Sequence, residues 1–270
     1  MKKKIVVAVL AVLIIVASVL TLTACNNNKK DFEYVTKKGT LVIGITNFAP
    51  MNYKDDNGKW IGFDTEFAEA VCAELGLKAV FQEIDWDTKE VELKSKTIDC
   101  IWNGFTVNDE RKENVDFTKS YMMNEQAVVV KASNASKYTS LESLKSAKIA
   151  AEGGSAGVDA IKGDEYLKQA KLISVSAQTD CLLELISGTS DAAVMDYVMA
   201  MSYVGKGDYA DLVIVESIDL AYEEYAIGFR KGSNLDEKVN EVMVKLYKDG
   251  TLLEIAQKYD IEVQLLDLSK

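Results

Sequence analysis

The sequence predicts an α/β protein of two lobes, each a mainly parallel sheet flanked by helices, joined by two hinge crossings. Three observations predict it. Short apolar runs alternate with amphipathic stretches almost throughout. That alternation forms one βαβαβ unit, breaks at a polar loop and begins again. A strand-like run then returns late in the chain, after the second unit.

In the first unit, LVIGIT at Leu41 to Thr46 reads as a buried strand. A helix follows, with Asp64 or Thr65 as cap, Phe67, Val71 and Leu75 at helical spacing, and Gly76 as its end. AVFQEI (Ala79 to Ile84) is the next strand, Thr88 to Lys94 is helical, and IDCIWN (Ile98 to Asn103) is a strand again. The second unit begins at QAVVVK (Gln126 to Lys131). SNASKYTS is loop, and Thr139 with Glu142 forms a capping box for a short helix. KIAAEGGSAG reads as a strand entering a glycine-rich turn. LISVS, a helix from Gln178 to Ile186 and the strand DAAVM repeat the pattern. EYAIGF (Glu224 to Phe229) is the late strand. Two helices finish the chain; Ser233 and Asp236 cap the first, and Val239, Val242, Met243 and Leu246 form its apolar stripe. The expected division is 39–126 with 227–270 as one lobe and 127–226 as the other.

Ahead of the lobes stand Lys2, Lys3 and Lys4 and an uncharged apolar run from Ile5 to Ala24, the layout of an export signal. The run is long enough to span a bilayer, so length alone leaves an uncleaved anchor open. It ends in LTAC, Leu22 to Cys25, an apolar residue and two small ones before a cysteine. This is similar to the bacterial lipobox, which implies a lipidated Cys25, removal of residues 1–24 and a protein held at the outer face of the cell membrane by its acyl chains. NNNKKD comes next, and 25–38 is expected to be a flexible tether.

Composition narrows the function. Acidic residues number 42 against 31 basic ones, which disfavours a nucleic-acid partner. There is no histidine. That removes the Ser-His-Asp and Cys-His catalytic arrangements and disfavours zinc; no metal or cofactor is expected. Cys72, Cys100 and Cys181 are widely spaced and odd in number, which fits buried thiols and leaves one disulfide open.

The most informative segment is WNGFTVNDERKENVDFTKSY, Trp102 to Tyr121. With Asn103, Gly104, Thr106, Asp109, Glu110, Arg111, Val115, Asp116 and Phe117 it resembles the polar amino-acid binding proteins of ABC importers, extracellular solute-binding family 3. The likeness extends from about Leu41 to Tyr259 and includes GKWIGFDTEFAEAVCAELG and the glycine turn near Ser155. It implies a periplasmic-binding-protein type II fold, a monomer, and a permease with its ATPase as partners. It also implies that Arg111, helped by Thr106, clamps the ligand carboxylate, that Ser155 and Ala156 close on it, and that Asp196 takes the α-amine. Phe48, Tyr53 and Trp86 match positions that sandwich the ligand.

The residue chemistry agrees. A guanidinium holds a carboxylate through two parallel hydrogen bonds, and Arg111 and Arg230 are the only arginines. A glycine turn entering a helix brings backbone N–H groups to an anion. Asp196 ends a strand, where open α/β sheets bind ligands, although capping the next helix is its other reading. Two departures from the family pattern concern the side-chain pocket. The acidic residue after the first strand is missing, leaving Asn47 as a polar substitute, and Glu152 stands where glutamine or lysine is common. A pocket glutamate with no basic neighbour favours a polar or cationic amino acid. Two other functions fit the same scaffold: an enzyme resembling the cyclohexadienyl dehydratases, with Glu152 as general acid, and an amino-acid sensor attached to an output domain.

Overall fold

The computed structural model describes residues 30–220 and 222–269. The export segment, Cys25 and most of the polar tract after it lie outside the described residues.

The first sheet is built around β1 (Thr40–Ile45), whose Leu41, Ile43 and Ile45 are fully buried. It pairs in parallel with β4 (Lys78–Glu83) and β5 (Cys100–Ile101). β13 (Gly228–Arg230) then lies antiparallel between β5 and β6 (Val115–Phe117), giving the order β4-β1-β5-β13-β6. A two-residue hairpin, β2 (Tyr53–Lys54) with β3 (Trp60–Ile61), leads into α2 (Phe63–Glu74). That helix buries Phe63, Phe67, Val71 and Cys72 and ends where Gly76 turns left-handed (φ 68°).

In the second sheet, β8 (Lys148–Glu152) is parallel to β9 (Lys171–Val175) and β10 (Ala192–Asp196). β7 (Met122–Lys131) and β11 (Leu212–Ile214) complete it, each antiparallel to its neighbour, giving the order β11-β7-β10-β8-β9. β12 (Tyr222–Tyr225) pairs with the first half of β7. The chain therefore crosses between sheets twice, side by side, through the stretches that enter β7 and leave β12.

Several sequence expectations change. The tether is ordered from Asp31: Asp31–Lys38 is α1, immediately before β1. Its acidic first turn and basic last turn suit the helix dipole, and Gly39 ends it left-handed. Val35 is fully buried, and Asp31 pairs with Arg230 at 2.7 Å. The buried Val35 and the ion pairs of Asp31 with Arg230 and Lys96 and of Lys38 with Asp99 hold a segment whose composition reads as linker. The proposed caps also differ. α2 starts after Gly62 with no side-chain cap. Glu142–Leu144 is a single 3-10 turn without the Thr139 box; Ser140 and Ser143 bond each other there. The helix Leu235–Lys248 starts after Asn234, which makes no side-chain cap; the Ser233 hydroxyl accepts from Leu235 N at 3.2 Å, as expected of a capping residue, one position earlier than the N-cap. IDCIWN pairs over two residues only, because the chain turns at Gly104 (φ 55°). EYAIGF is split into β12 and β13, one at the crossing and one inside the first sheet. Cys72, Cys100 and Cys181 are buried free thiols.

Candidate ligand-binding site

The C-terminal ends of β1, β5, β8 and β10 face one cleft between the sheets, and the site residues sit at those strand ends and in the turns and helices just beyond them. After β5, Asn103 is fixed by its own side chain: its Oδ1 accepts from Thr46 N (3.1 Å) and Asn52 Nδ2 (2.9 Å), and its Nδ2 donates to Thr46 Oγ1 (2.8 Å). Gly104 must be glycine, since a Cβ would stand 2.5 Å from the Phe48 ring at positive φ. Its N–H donates to Asp64 Oδ2 (2.8 Å), and Tyr121 donates its hydroxyl to Asp64 Oδ1 (2.8 Å). The residue read as a helix cap is thus a buried support for the site loop. Burial raises its carboxyl to about 7, while the Gly104 and Tyr121 donors pull it back down.

Arg111 lies in α4 (Asp109–Asn114), whose first turn is capped by Asn108 accepting from Arg111 N (2.8 Å). The guanidinium is 5% exposed and stacks on Phe105 at 4.8 Å. Nη1 donates to the Thr106 carbonyl (2.7 Å) and Nη2 crosses to the Gly154 carbonyl (3.1 Å). Among the described residues no carboxylate pairs with it, whereas Arg230 is paired with Asp31 and Asp99. Desolvation lowers the Arg111 pKa. One arginine is part of the frame; the other is a buried cation with no charged partner among the described residues.

On the opposite side, Glu152 ends β8, the Glu152–Ser155 turn carries Gly154 at φ 65°, and Ser155 caps α5 (Ala156–Gly163) by accepting from Val158 N. Asp196 ends β10. Its carboxylate accepts from Asn124 Nδ2 (2.7 Å), Gln126 Nε2 (3.0 Å), the Tyr225 hydroxyl (2.6 Å) and Gln178 Nε2. All four donors are neutral, and Asp196 makes no ion pair among the described residues. Burial raises Glu152 to about 8, with the Asp196 charge adding to it.

Phe48, Trp86, Asn103, Gly104, Thr106, Arg111, Glu152, Ser155, Ala156 and Asp196 line one cavity, together with Gln178. About 10 Å³ of it is open to the centre of a water molecule, room for roughly one water, so this arrangement of the two sheets is a closed one. Tyr53 is not among the lining residues. It stands on the β2–β3 hairpin, edge-on to Tyr259 at 6.4 Å, because that hairpin folds back onto the first lobe. Asn47 is exposed and also outside the lining.

Two residues were not read from sequence. Gln178 opens α6 (Gln178–Ser187) and orients Asp196 from both directions, its Oε1 accepting from Asp196 N (3.0 Å). Lys89, at the start of α3 (Lys89–Lys94), is 5% exposed. Its ammonium donates to Trp86 O (3.0 Å) and, across the cleft, to Gly154 O (2.8 Å). Desolvation and the nearby Arg111 charge lower it to about 8, partly offset by Glu90, Glu152 and Asp87. The expectation that Glu152 has no basic neighbour is therefore corrected. A lysine among the polar residues of a helix start looks solvated in sequence; it is buried here because the glycine turn closes over it.

Residues 41–262 match the family of bacterial extracellular solute-binding proteins, family 3. The chain is 29% identical over 231 residues to the L-cystine-binding protein TcyJ of Escherichia coli (strain K12), covering 83% of this chain and 84% of that protein. It is 29% identical over 252 residues to the arginine-binding extracellular protein ArtP of Bacillus subtilis (strain 168), covering 92% and 96%. An ancestral arginine-binding protein solved with arginine superposes with a TM-score of 0.76 at 36% identity, covering 82% of this chain and 98% of that one.

Proposed function

The chain belongs to the bacterial extracellular solute-binding proteins, family 3, and from that premise we propose that it captures an amino acid between its lobes and hands it to the permease of an ABC importer. One observation carries the chemistry. Arg111 from the first lobe and Asp196 from the second are both buried in one cavity, and neither has a charged partner among the described residues. A buried charge without a partner is costly. A free amino acid supplies both missing charges at once, its carboxylate to Arg111 and its ammonium to Asp196. Thr106, Ser155 and Ala156 surround the carboxylate end, and Phe48 and Trp86 flank the side chain, whose polar or cationic far end donates a hydrogen bond to the Glu152 carboxyl. Residues 39–126 with 227–270 move against 127–226. Closing unites the two halves of the site, so a ligand that touches both favours the closed state.

In this reading Cys25 carries the lipid that holds the receptor at the outer face of the membrane beside its permease. Replacing Cys25 with serine abolishes palmitate labelling; equal labelling of both proteins contradicts the anchor.

The dehydratase alternative has one supporting observation, a buried Glu152 whose carboxyl is raised to about 8 and so is protonated near neutrality. The other carboxylate lining the cavity, Asp196, is already held by four donors, which suits binding. Incubation with prephenate is expected to give no product.

A thermal-shift screen against the twenty common amino acids tests the main proposal, because a ligand of the native state raises the melting temperature. At least one neutral polar or cationic amino acid raises it. Glutamate or aspartate raising it alone contradicts the stated preference, and no shift with any amino acid contradicts capture.

A further inference from the structure

We infer that Glu223 is the second carboxyl of the ammonium site, and that capturing the ligand expels one proton from the Asp196–Glu223 pair to solvent. This rests on the reading in which Asp196 takes the α-amine.

The two side chains share their donors. Asn124 Nδ2 donates both to Asp196 Oδ1 (2.7 Å) and to Glu223 Oε1, and Gln126 Nε2 donates to the same two oxygens (3.0 and 2.9 Å). Two nitrogens that each touch both oxygens make those oxygens neighbours. Both carboxyls are buried, Asp196 at 5% exposure and Glu223 at 9%. Gln126 turns its amide nitrogen to them and leaves its own Oε1 buried without a hydrogen bond among the described residues. The groups that face the pair are the Tyr225 hydroxyl on β12, the amides of Asn124, Gln126 and Gln178, Glu152 on β8 and, from the first lobe, Arg111. Arg111 feels both charges, but its hydrogen bonds go to the Thr106 and Gly154 carbonyls.

Two neighbouring carboxyls with no cation between them do not both ionise, so one proton stays with the pair. Asp196 has four donors against two for Glu223 among the described residues, which puts the charge on Asp196 and the proton on Glu223. Burial, the Asp196 charge and the hydrogen bond to Asp196 all hold the Glu223 carboxyl above its usual range. An ammonium brought to Asp196 supplies the missing cation and favours the ionised form of both. The Glu223 O–H bond then breaks, its electron pair stays on the carboxylate, and the proton passes to water. Asp196 lines the closed cavity, whereas Glu223 lines a groove of about 480 Å³ at the crossing, bordered by Asp159, Asp164 and Asp219. The pair therefore spans the wall between cavity and groove. No lysine or arginine is among the described residues lining that groove, so its field favours an outgoing proton. A ligand that prefers ionised Glu223 binds more tightly as pH rises through that carboxyl's range, by about tenfold per pH unit where a whole proton leaves. A carboxyl that merely ties β12 to β7 keeps its proton, and binding does not respond to it.

The test is calorimetric titration of the mature protein between pH 5 and 7.5, with two buffers of different ionisation enthalpy at each pH. The probes are L-arginine, L-glutamine and L-cystine; if none binds, any common amino acid that raises the melting temperature replaces them. The difference in heat between buffers gives the protons exchanged. Wild type should release at least about half a proton per bound ligand at its maximum, with affinity rising severalfold per pH unit over the same range. Glu223→Gln should release less than about a tenth of a proton and bind with no such rise. Glu152→Gln, which removes the other raised carboxyl of the cavity, should still release it. Binding by wild type with equal heat in both buffers at every pH overturns the proposal and leaves amino-acid capture standing, whether or not the Glu223→Gln protein folds. Release that persists in Glu223→Gln, or is lost in Glu152→Gln, overturns it too, because another group then supplies the proton. Failure of every amino acid to bind counts against capture itself.

Discussion

Arg111 and Arg230 are the same side chain at nearly the same burial, and their partners separate them. Arg230 is neutralised by Asp31 and Asp99 and bonds the Leu93 and Ile98 carbonyls, so its charge is spent within the fold. Among the described residues Arg111 finds only carbonyls and an aromatic face. Motif and residue chemistry pointed to Arg111, because a guanidinium after a strand-turn-helix is a local feature of the chain. Lys89 was not legible, because its burial depends on a turn 65 residues away that belongs to the other lobe. Asp64 was misread for the same reason: a capping residue and a buried loop support look alike until Gly104 and Tyr121 are in place. These buried acids set a pH dependence. Asp64 and Glu152 have folded pKa values raised to about 7 and about 8 from ordinary carboxylate values near 4. Their folded forms hold the proton more tightly than the unfolded chain does. That stability is full below about pH 4 and is lost as pH rises through 7 to 8. The unliganded protein is therefore expected to lose melting temperature between pH 5 and 7. Asp64→Asn should flatten that slope; an unchanged slope contradicts the assignment.

The elements that carry the site were readable where one segment supplies them. The β8 strand, its glycine turn and α5 follow directly from KIAAEGGSAG, and β10 from DAAVMD. What needed the three-dimensional structure was the meaning of Gly154. A Cβ there would meet Asp87 Oδ1 of the first lobe at 2.9 Å, besides the left-handed φ of 65°. Gly154→Ala should lower ligand affinity about tenfold or more, by left-handed strain of about 1–2 kcal/mol plus hindered closure. Gly153→Ala, whose backbone is not left-handed and whose nearest neighbour is a serine hydroxyl at 3.2 Å, should cost less. Equal losses would contradict the close approach. The α1 helix was missed because DFEYVTKK offers little apolar pattern; it is held by ion pairs together with the buried Val35. Asp31→Asn leaves Arg230 short of a charge, and breaking such a buried pair costs about 3–5 kcal/mol. At about 2–4 °C per kcal/mol for a chain of this size, the melting temperature should drop by roughly 10 °C. A drop below about 2 °C would mean that α1 is not anchored by this pair.

At the scale of the molecule, the site and the hinge share residues. Tyr225 ends β12 at a crossing between the lobes, donates to Asp196 and bridges Thr106. Glu223 on the same strand accepts from Asn124 and Gln126, which also hold Asp196. Burial and the Asp196 charge push the Glu223 carboxyl well above its usual range. An ammonium delivered to Asp196 therefore meets a hydrogen-bond network that reaches the strand at the crossing. Two lobes and two crossings were visible in the order of strands and helices. The coupling of crossing to site was not, because it runs through residues far apart in sequence. Small-angle scattering should show the radius of gyration falling when ligand is added to wild type and not when it is added to Asp196→Ala.

The grip on both ends of one amino acid is tested most directly by calorimetric titration of wild type, Arg111→Ala and Asp196→Ala. The probes are the amino acid that binds best and its α-carboxamide. Removing one member of a buried charge pair costs about 2–5 kcal/mol, or roughly 30-fold to several-thousand-fold in affinity. Both variants should lose at least that much while keeping their circular dichroism. The carboxamide should bind wild type poorly and lose little more on Arg111→Ala. If Arg111→Ala binds the amino acid within threefold of wild type, the carboxylate clamp is contradicted.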